Sequence, residues 1–337
     1  MARVDVSVPC YQYGRYLRTC VGSVLSQGVQ DLRVLIIDNA STDNSLEVAR
    51  ALAAADPRVQ VVAHAANLGH HSSFNEGIDW ASGDYFMTLC ADDLLAPGCL
   101  SRAVSFMEEH PDVHLTYGET LLIHNDDPIP PIEPCAREAK WHVFSGRQLL
   151  EMVCRAGGRH GIGGPTVVVR TSVQKRAGYY RPELPHTDDF EMWMRFARFG
   201  SVARTDAVQG IARVHSMTRT TALSNALMWD LHREAAFESF FANDGASAPG
   251  AKDLRRLARR HLAERAYWGA VATFVRGDGR LGLNLLKFAF TRDPLTMVVP
   301  PMGYLFRRGN ALRHIAEVLS EAARSLGIPT GEANRSR

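Results

Sequence analysis

The stretch Leu32-Arg33-Val34-Leu35-Ile36-Ile37-Asp38-Asn39-Ala40-Ser41-Thr42-Asp43 is a run of branched apolar residues that stops abruptly in polar, turn-forming ones. A strand buried on both faces needs such a near-continuous apolar run, and parallel sheets are built from strands of this kind. Helical periodicity lies on either side, near Arg15–Gln27 and Asn44–Ala54, with further strand-like runs at Val4–Val8 and Val59–His64. Strand, helix, strand, helix, strand is the rhythm of crossover connections. It predicts an α/β fold with a mostly parallel, Rossmann-like sheet flanked by helices.

Outward from that core the same rhythm continues. A helix is expected near Ser72–Ala81, a strand over Tyr85–Cys90, a helix after Pro97 with the proline in its first turn, and a strand over Val113–Ile123. The Pro- and acid-rich segment Asn125–Glu138 predicts a surface loop, and Ser145 with Gln148 three residues on forms a capping box that opens a helix. Pro165–Arg170 reads as a strand, Asp189–Phe199 as a helix with Phe190, Trp193, Met194 and Ala197 along one face, and Val202–His215 as extended chain. From Leu223 onward the sequence is helical in texture and rich in Arg and Ala. The change near residue 220 divides the chain into a sheet-bearing region, 1–220, and a helical C-terminal appendage, 221–337.

Bulk properties narrow the classes of function. A net charge of +2 over 337 residues gives no global basic field of the kind that holds a polyanion, which argues against nucleic acid as the partner. Six scattered cysteines without a Cys-x-x-Cys pair suggest reduced core thiols, not a disulfide or zinc framework. The chain enters a strand at once, without the pattern of a secretory leader. Pro294–Phe306, the longest uncharged apolar stretch, carries three prolines and is too short for a bilayer span. A cytoplasmic protein is expected, compatible with peripheral contact at the inner face of the membrane.

Ligands of open α/β sheets bind beyond the carboxyl ends of the strands, so the acids that end apolar runs come first. The run ending at Ile37 meets Asp38 and then Asp43, and the run ending at Cys90 meets Asp92-Asp93. Adjacent carboxylates repel, and a hard dication relieves that repulsion while bridging to a diphosphate. The plainer alternative is that these aspartates serve the turns in which they sit.

Six collinear segments resemble the family 2 glycosyltransferases of the GT-A fold: Val6–Tyr11, Ser23–Gln27, Leu35–Asp43, Asn67–Gly69, Asn75–Ile78 and Ala91–Pro97. The resemblance covers roughly the first 215 residues. It implies an inverting, metal-dependent transfer of a hexose-type sugar from a nucleotide diphosphate sugar, UDP- or dTDP-linked by preference, to a hydroxyl of a glycan, glycolipid or small natural product. It implies donor contacts from Pro9, Tyr11, Asp38, Asn39, Asn67 and Asp92, with Tyr11 and Asp38 enclosing the base, and a Mn²⁺ or Mg²⁺ site drawn from Asp92, Asp93 and His215. Two positions depart from the family pattern. Asn39 replaces a frequent second aspartate, and Cys90 stands where many members begin an Asp-x-Asp.

His186-Thr187-Asp188-Asp189-Phe190-Glu191-Met192-Trp193 resembles the acidic pair that precedes a helix in that family, with Asp189 as catalytic base and Asp188 beside it. A helix start holds a carboxylate rigidly and favours its charge, although helix starts also select Thr and Asp as ordinary caps. The glycine-dense 157–165 loop, with Gly163 and Gly164, permits close backbone approach to a ligand. Arg213 and the acceptor-side Trp193 complete the expected contacts, Arg213 neutralising the departing diphosphate. His160, His70 and His71 are weaker candidates.

Three signals count for less. Gly277–Gly282 fits G-x-G-x-x-G but sits in helical sequence, where a turn between helices explains it. Lys252, Arg255, Arg256, Arg259 and Arg260, with Arg307-Arg308 further on, read as a solvated helix face or as a surface for anionic lipid. The helical region is also open to a role in oligomerisation. A sugar nucleotidyltransferase, and an inactive protein that only binds nucleotide sugars, remain as other classes.

Overall fold

The computed structural model describes residues 2–125, 127–132, 139–158, 161–215 and 225–306. The first four strands are β1 (Arg3–Cys10), β2 (Asp31–Asp38), β3 (Val59–Ala63) and β4 (Tyr85–Thr88), joined by α1 (Gly14–Leu25), α2 (Ser45–Ala55) and α3 (His70–Trp80). They lie in the order β3-β2-β1-β4, every pair parallel. β1 is buried from Val4 to Cys10, as a central strand covered on both faces must be. Leu17, Cys20, Val21 and Val24 of α1 recur at helical spacing and enter one apolar cluster with Val4, Val6, Val8, Val34 and Ile36.

Beyond β4 the sheet is mixed. β5 (Leu94–Leu95), α4 (Cys99–Glu109), β6 (Val113–His124), β7 (Trp141–Phe144), α5 (Gly146–Arg155), β8 (Val168–Arg170), α6 (Thr171–Ala177), α7 (Asp188–Phe196) and β9 (Ser201–Val214) follow in the chain. β8 runs antiparallel to both β4 and β6, β6 runs parallel to β9, and β5 and β7 pair antiparallel with β9. The α/β class expected from the sequence is therefore present, with its parallel half at β1–β4.

Local details depart from the sequence reading in ways that matter for the site. Pro97 lies outside α4, whose N-cap is Gly98 with φ 73°. Pro165 belongs to a 3₁₀ turn, Gly164–Thr166, so the strand there begins only at Val168. β4 ends at Thr88, which releases Cys90–Asp93 from the ladder into a loop. α7 is shorter than expected and starts one residue earlier, at Asp188. The capping box does form: Gln148 N donates to Ser145 Oγ at 3.2 Å, and Ser145 N donates to Gln148 Oε1 at 2.8 Å.

The described residues divide into two compact units. One comprises those within 1–150, 160–222 and 243–248, and the other those within 151–159, 223–242 and 249–337. The expected boundary near 220, like His160, Arg307 and Arg308, lies outside the described residues. The second unit contains α8 (Ala226–Ala242), α9 (Ala251–Val275), α10 (Gly279–Arg292) and α11 (Met302–Phe306). Leu254, Ala258, Leu262, Ala266 and Ala270 form a buried stripe along α9. Gly277–Gly282 spans the α9–α10 turn, where Leu281 N donates to Asp278 Oδ1 at 3.0 Å as an N-cap.

Candidate active site

The carboxyl ends of β1 and β2 make the first wall. Cys10 and Asp38 are in register, and Asn39 N donates to Cys10 O at 2.9 Å. Just past these ends Gln12 (φ 62°) and Ala40 (φ 58°) adopt left-handed backbone without being glycine, a strain that persists only where neighbours impose it. Tyr11, 42% exposed, presents its ring on this rim. Asp38 is buried; its Oδ2 accepts from Ser41 N at 3.2 Å, while its Oδ1 has no hydrogen-bond partner. A buried acceptor without a donor is costly, so Asp38 retains capacity for an N–H from a ligand.

Asn39 and Asn67 are already occupied with each other. Asn39 Nδ2 donates to Asn67 Oδ1 at 3.0 Å, and Asn39 Oδ1 accepts from Leu68 N at 2.9 Å and meets His64 Nδ1 at 2.9 Å. His64 Nε2 in turn meets Glu76 at 2.6 Å. The amides pin the Asn67–Gly69 loop to the end of β2. Asp43 is likewise a strut: its carboxylate accepts from Gly14 N at 3.1 Å and Ser45 N at 3.0 Å. Burial works against its charge, but the Ser45 and Gly14 donors outweigh it and hold the carboxyl below its ordinary range.

The second wall is the loop after β4. It hangs on β1 through Ala91 N, which donates to the carbonyl of buried Pro9 at 3.3 Å. It is also held through Gln27, just past the end of α1, whose Nε2 donates to Ala96 O at 3.0 Å and whose Oε1 accepts from Leu100 N at 3.0 Å. Asp92, 7% exposed, places Oδ2 3.1 Å from His215 Nε2. Half-buried Asp93 accepts from Arg213 N at 3.0 Å. Ligand atoms of Cys90, Asp92 and Asp93 lie within 4.8 Å of one another. Burial raises the Asp92 carboxyl against the opposing His215, and burial together with the Asp92 charge raises Asp93 well above its ordinary value.

This arrangement redistributes the expected roles. Cys90, read from the sequence as a gap in the metal site, contributes a thiol to the carboxylate cluster, and His215 reaches that cluster through Asp92. The Arg213 guanidinium is turned inward: Nε donates to Asp92 O at 3.3 Å, Nη1 donates to Asn125 O, and Cζ lies 4.5 Å above the Tyr16 ring. Tyr13 and Tyr16 flank the His215 ring at 5.5 and 5.9 Å. These two tyrosines carried no sequence signal beyond their place at the start of an amphipathic helix.

The third wall is the start of α7. Asp188 is buried and Asp189 is half-buried, with Asp189 Oδ1 accepting from the next amide, Phe190 N, at 2.6 Å. Buried Tyr180 lies within electrostatic reach of both acids and of Cys90; burial, then Asp188 and Asp189, push its hydroxyl well above the ordinary tyrosine range. Asn75 fixes Tyr180 through both backbone groups, with Tyr180 N donating to Oδ1 at 2.8 Å and Nδ2 donating to Tyr180 O at 3.2 Å. Sequence reasoning missed Tyr180, yet the Asn75–Ile78 motif pointed at its holder. Gly77 in the same motif is fixed by contact, since a Cβ there would stand 2.2 Å from Ser7 Oγ.

Packing surrounds the glycine and tryptophan expected on the acceptor side. Trp193 is buried against Phe86, Val169, Tyr180 and Phe196 around a small cavity, so it supports the site from beneath. A Cβ on Gly163 would meet Thr120 Oγ1 at 2.0 Å, so this glycine permits close approach to β6; a Cβ on Gly164 would meet open space.

Residues 5–127 match the family model described as glycosyl transferase family 2. An uncharacterized glycosyltransferase of Haemophilus influenzae is 24% identical over 225 residues, covering 66% of this chain and 68% of that one. A chondroitin synthase of Pasteurella multocida is 39% identical over 146 residues, 43% of this chain and 14% of the synthase. Among solved structures, Staphylococcus aureus TarS 1–349 in complex with UDP superposes with TM-score 0.60 at 15% identity, covering 98% of both chains. The mannosyltransferase PcManGT of Pyrobaculum calidifontis, in complex with GDP-Man and Mn²⁺, superposes with TM-score 0.56 at 17% identity, covering 96% of this chain and 83% of that one. The resemblance read from the sequence is borne out: residues 5–127 match the family 2 glycosyltransferase model, and the fold is that of GT-A glycosyltransferases.

Proposed function

We propose that this chain transfers a sugar from a nucleotide diphosphate sugar to an acceptor hydroxyl with inversion at the anomeric carbon. The observation that carries the reading is the gathering of Cys90, Asp92 and Asp93 past β4, in the compact unit that also holds Asp38 and the Asp188-Asp189 start of α7. Tyr11 and the free Oδ1 of Asp38 take the base, a uracil or thymine ring offering the N–H that this oxygen lacks. Support comes also from the structural relatives in complex with UDP and with GDP-Man.

Cys90, Asp92 and Asp93 fit a divalent cation, because adjacent carboxylates drawn from water, with the Asp92 charge raising Asp93, are stabilised by a positive partner. When bound there, Mn²⁺ or Mg²⁺ supplies charge neutralisation of the diphosphate. His215 orients Asp92, and Arg213 holds the loop by its backbone oxygens. Asp189, at an accessible helix start, accepts the proton of the incoming hydroxyl, and Asp188 fixes the turn that presents it.

The helical unit is proposed to face an anionic membrane surface, which would suit a lipid-linked acceptor. Lys252, Arg256, Arg259 and Leu295 line one cavity of about 700 Å³. The chain after it exposes Met297, Val298 and Val299, the valine at 298 by 80%. Cations beside exposed apolar side chains match the interface of an anionic bilayer. No helix of the described residues is long and apolar enough to cross a membrane.

The test is donor turnover. Incubation with UDP-, dTDP- and GDP-sugars and Mn²⁺ should release a nucleoside diphosphate from wild type and not from Asp189→Asn. Released pyrophosphate would indicate a nucleotidyltransferase, and tight donor binding without any release an inactive binding protein. A product with retained configuration would exclude the single displacement.

A further inference from the structure

The loop Asn67–Gly69 delivers two consecutive histidines onto the first turn of α3. Neighbouring residues of a helix normally diverge by about 100°, yet the rings of His70 and His71 stack with centroids 3.8 Å apart and 40° between planes. Both point at one atom: Asp188 Oδ2 lies 3.6 Å from His70 Nε2 and 3.3 Å from His71 Nε2. The ligand atoms of all three residues lie within 4.8 Å of one another.

His71 Nε2 is the informative atom. The residue is 9% exposed, and this nitrogen is buried with no hydrogen-bond partner in spite of the carboxylate at 3.3 Å. Tetrahedral ligands at about 2.0–2.1 Å from a zinc ion stand about 3.4 Å apart. The observed separations of 3.3 and 3.6 Å match that spacing.

We infer that His70, His71 and Asp188 form a second divalent-cation site, distinct from the Cys90–Asp92–Asp93 cluster. Two imidazoles and one carboxylate suit zinc or cobalt, in contrast to magnesium, which prefers oxygen ligands. Three protein ligands leave a fourth position for solvent. The ion would tie the first turn of α3 to the first turn of α7 and so fix the backbone from which Asp189 projects. The site is read from its own geometry and stands whether or not the chain transfers sugar.

Untagged full-length protein, stripped with a chelator and dialysed against Co²⁺ or Zn²⁺, provides the test, with bound metal counted by elemental analysis. Wild type should bind two equivalents, and His71→Ala and Asp93→Asn one each. The Co²⁺ form of wild type should show the intense visible bands of tetrahedral coordination, lost in His71→Ala and retained in Asp93→Asn. His71→Cys covers the case in which the alanine variant fails to fold: it should restore the second equivalent and add a thiolate-to-cobalt charge-transfer band. Equal stoichiometry in wild type and His71→Ala, or a Co²⁺ spectrum unchanged by both substitutions at 71, would overturn the proposal. One equivalent in wild type that His71→Ala removes and Asp93→Asn keeps would leave this site standing and sink the donor-side one.

Discussion

Two Asp-Asp dipeptides of the sheet unit, Asp92-Asp93 and Asp188-Asp189, live in different surroundings. Asp92-Asp93 sits in a loop that β4 has released, beside a thiol, with burial raising both carboxyls and the Asp92 charge raising Asp93 further. Asp188-Asp189 opens a helix, its first member buried under two imidazoles and its second half-buried at the surface. The first pair is arranged to hold charge, the second to present one carboxylate from a fixed turn. Identical residues acquire different chemistry from what the fold places within about 4 Å of them.

The sharpest test of that contrast is Asp189→Asn. Loss of a positioned base should lower kcat by roughly 10²–10⁴-fold with little change in donor KM, measured by nucleoside diphosphate release. An unchanged kcat would remove the distinction between the pairs. Asp93→Asn should act on binding instead. Wild type with Mn²⁺ and UDP at about 100-fold over Kd should gain about 2.7 kcal/mol of stability, and the variant should lose most of it, read as a smaller shift in melting temperature. If Asp189→Asn abolished that shift equally, both pairs would be binding elements.

Gln27→Ala sharpens the first pair further. It strips partners from Ala96 O and Leu100 N, at a cost of about 1–3 kcal/mol measurable by urea unfolding, and should weaken Mn²⁺ binding because the Asp92–Asp93 loop hangs from these bonds. The smallest effect is expected at Asp56, an aspartate outside both pairs. Its carboxyl is lowered to about 2 by Arg58, which hydrogen-bonds to it. A folded value below the unfolded one gives stability that is present above about pH 4 and fades as pH falls toward 2. Asp56→Asn should leave transfer intact and flatten the loss of stability across that acid window.

The parallel half of the sheet was legible because β1 shows alternating valines and β2 and β4 carry apolar runs, whose ends pointed to Asp38 and Asp92-Asp93. Short elements were not: Leu94-Leu95 and Trp141–Phe144 become strands only because β9 offers an edge. Partnership was harder still to read. Nothing local to Asn39 says that its amide is spent on Asn67 and Leu68, and nothing near Trp193 separates a buried support from an acceptor platform. Cys90 was read as a missing acid, when its thiol lies with the carboxylates that follow it. Tyr180 was invisible because its importance comes from residues 75, 90, 188 and 189, which only the fold assembles.

One feature of the chain path bears on how the protein can be cut. Segment 243–248 belongs to the sheet unit although α8 precedes it. From it Asp244 reaches back to Arg181, and to Arg198 at 2.8 Å; Arg181 also binds Glu191 of α7 at 2.7 Å. An excised fragment ending where the sequence texture changes would leave both guanidinium groups without this counter-ion, next to the helix that carries Asp188 and Asp189. Protease trimming or truncation that spares residue 248 should therefore preserve the sheet unit better than one that stops near 220.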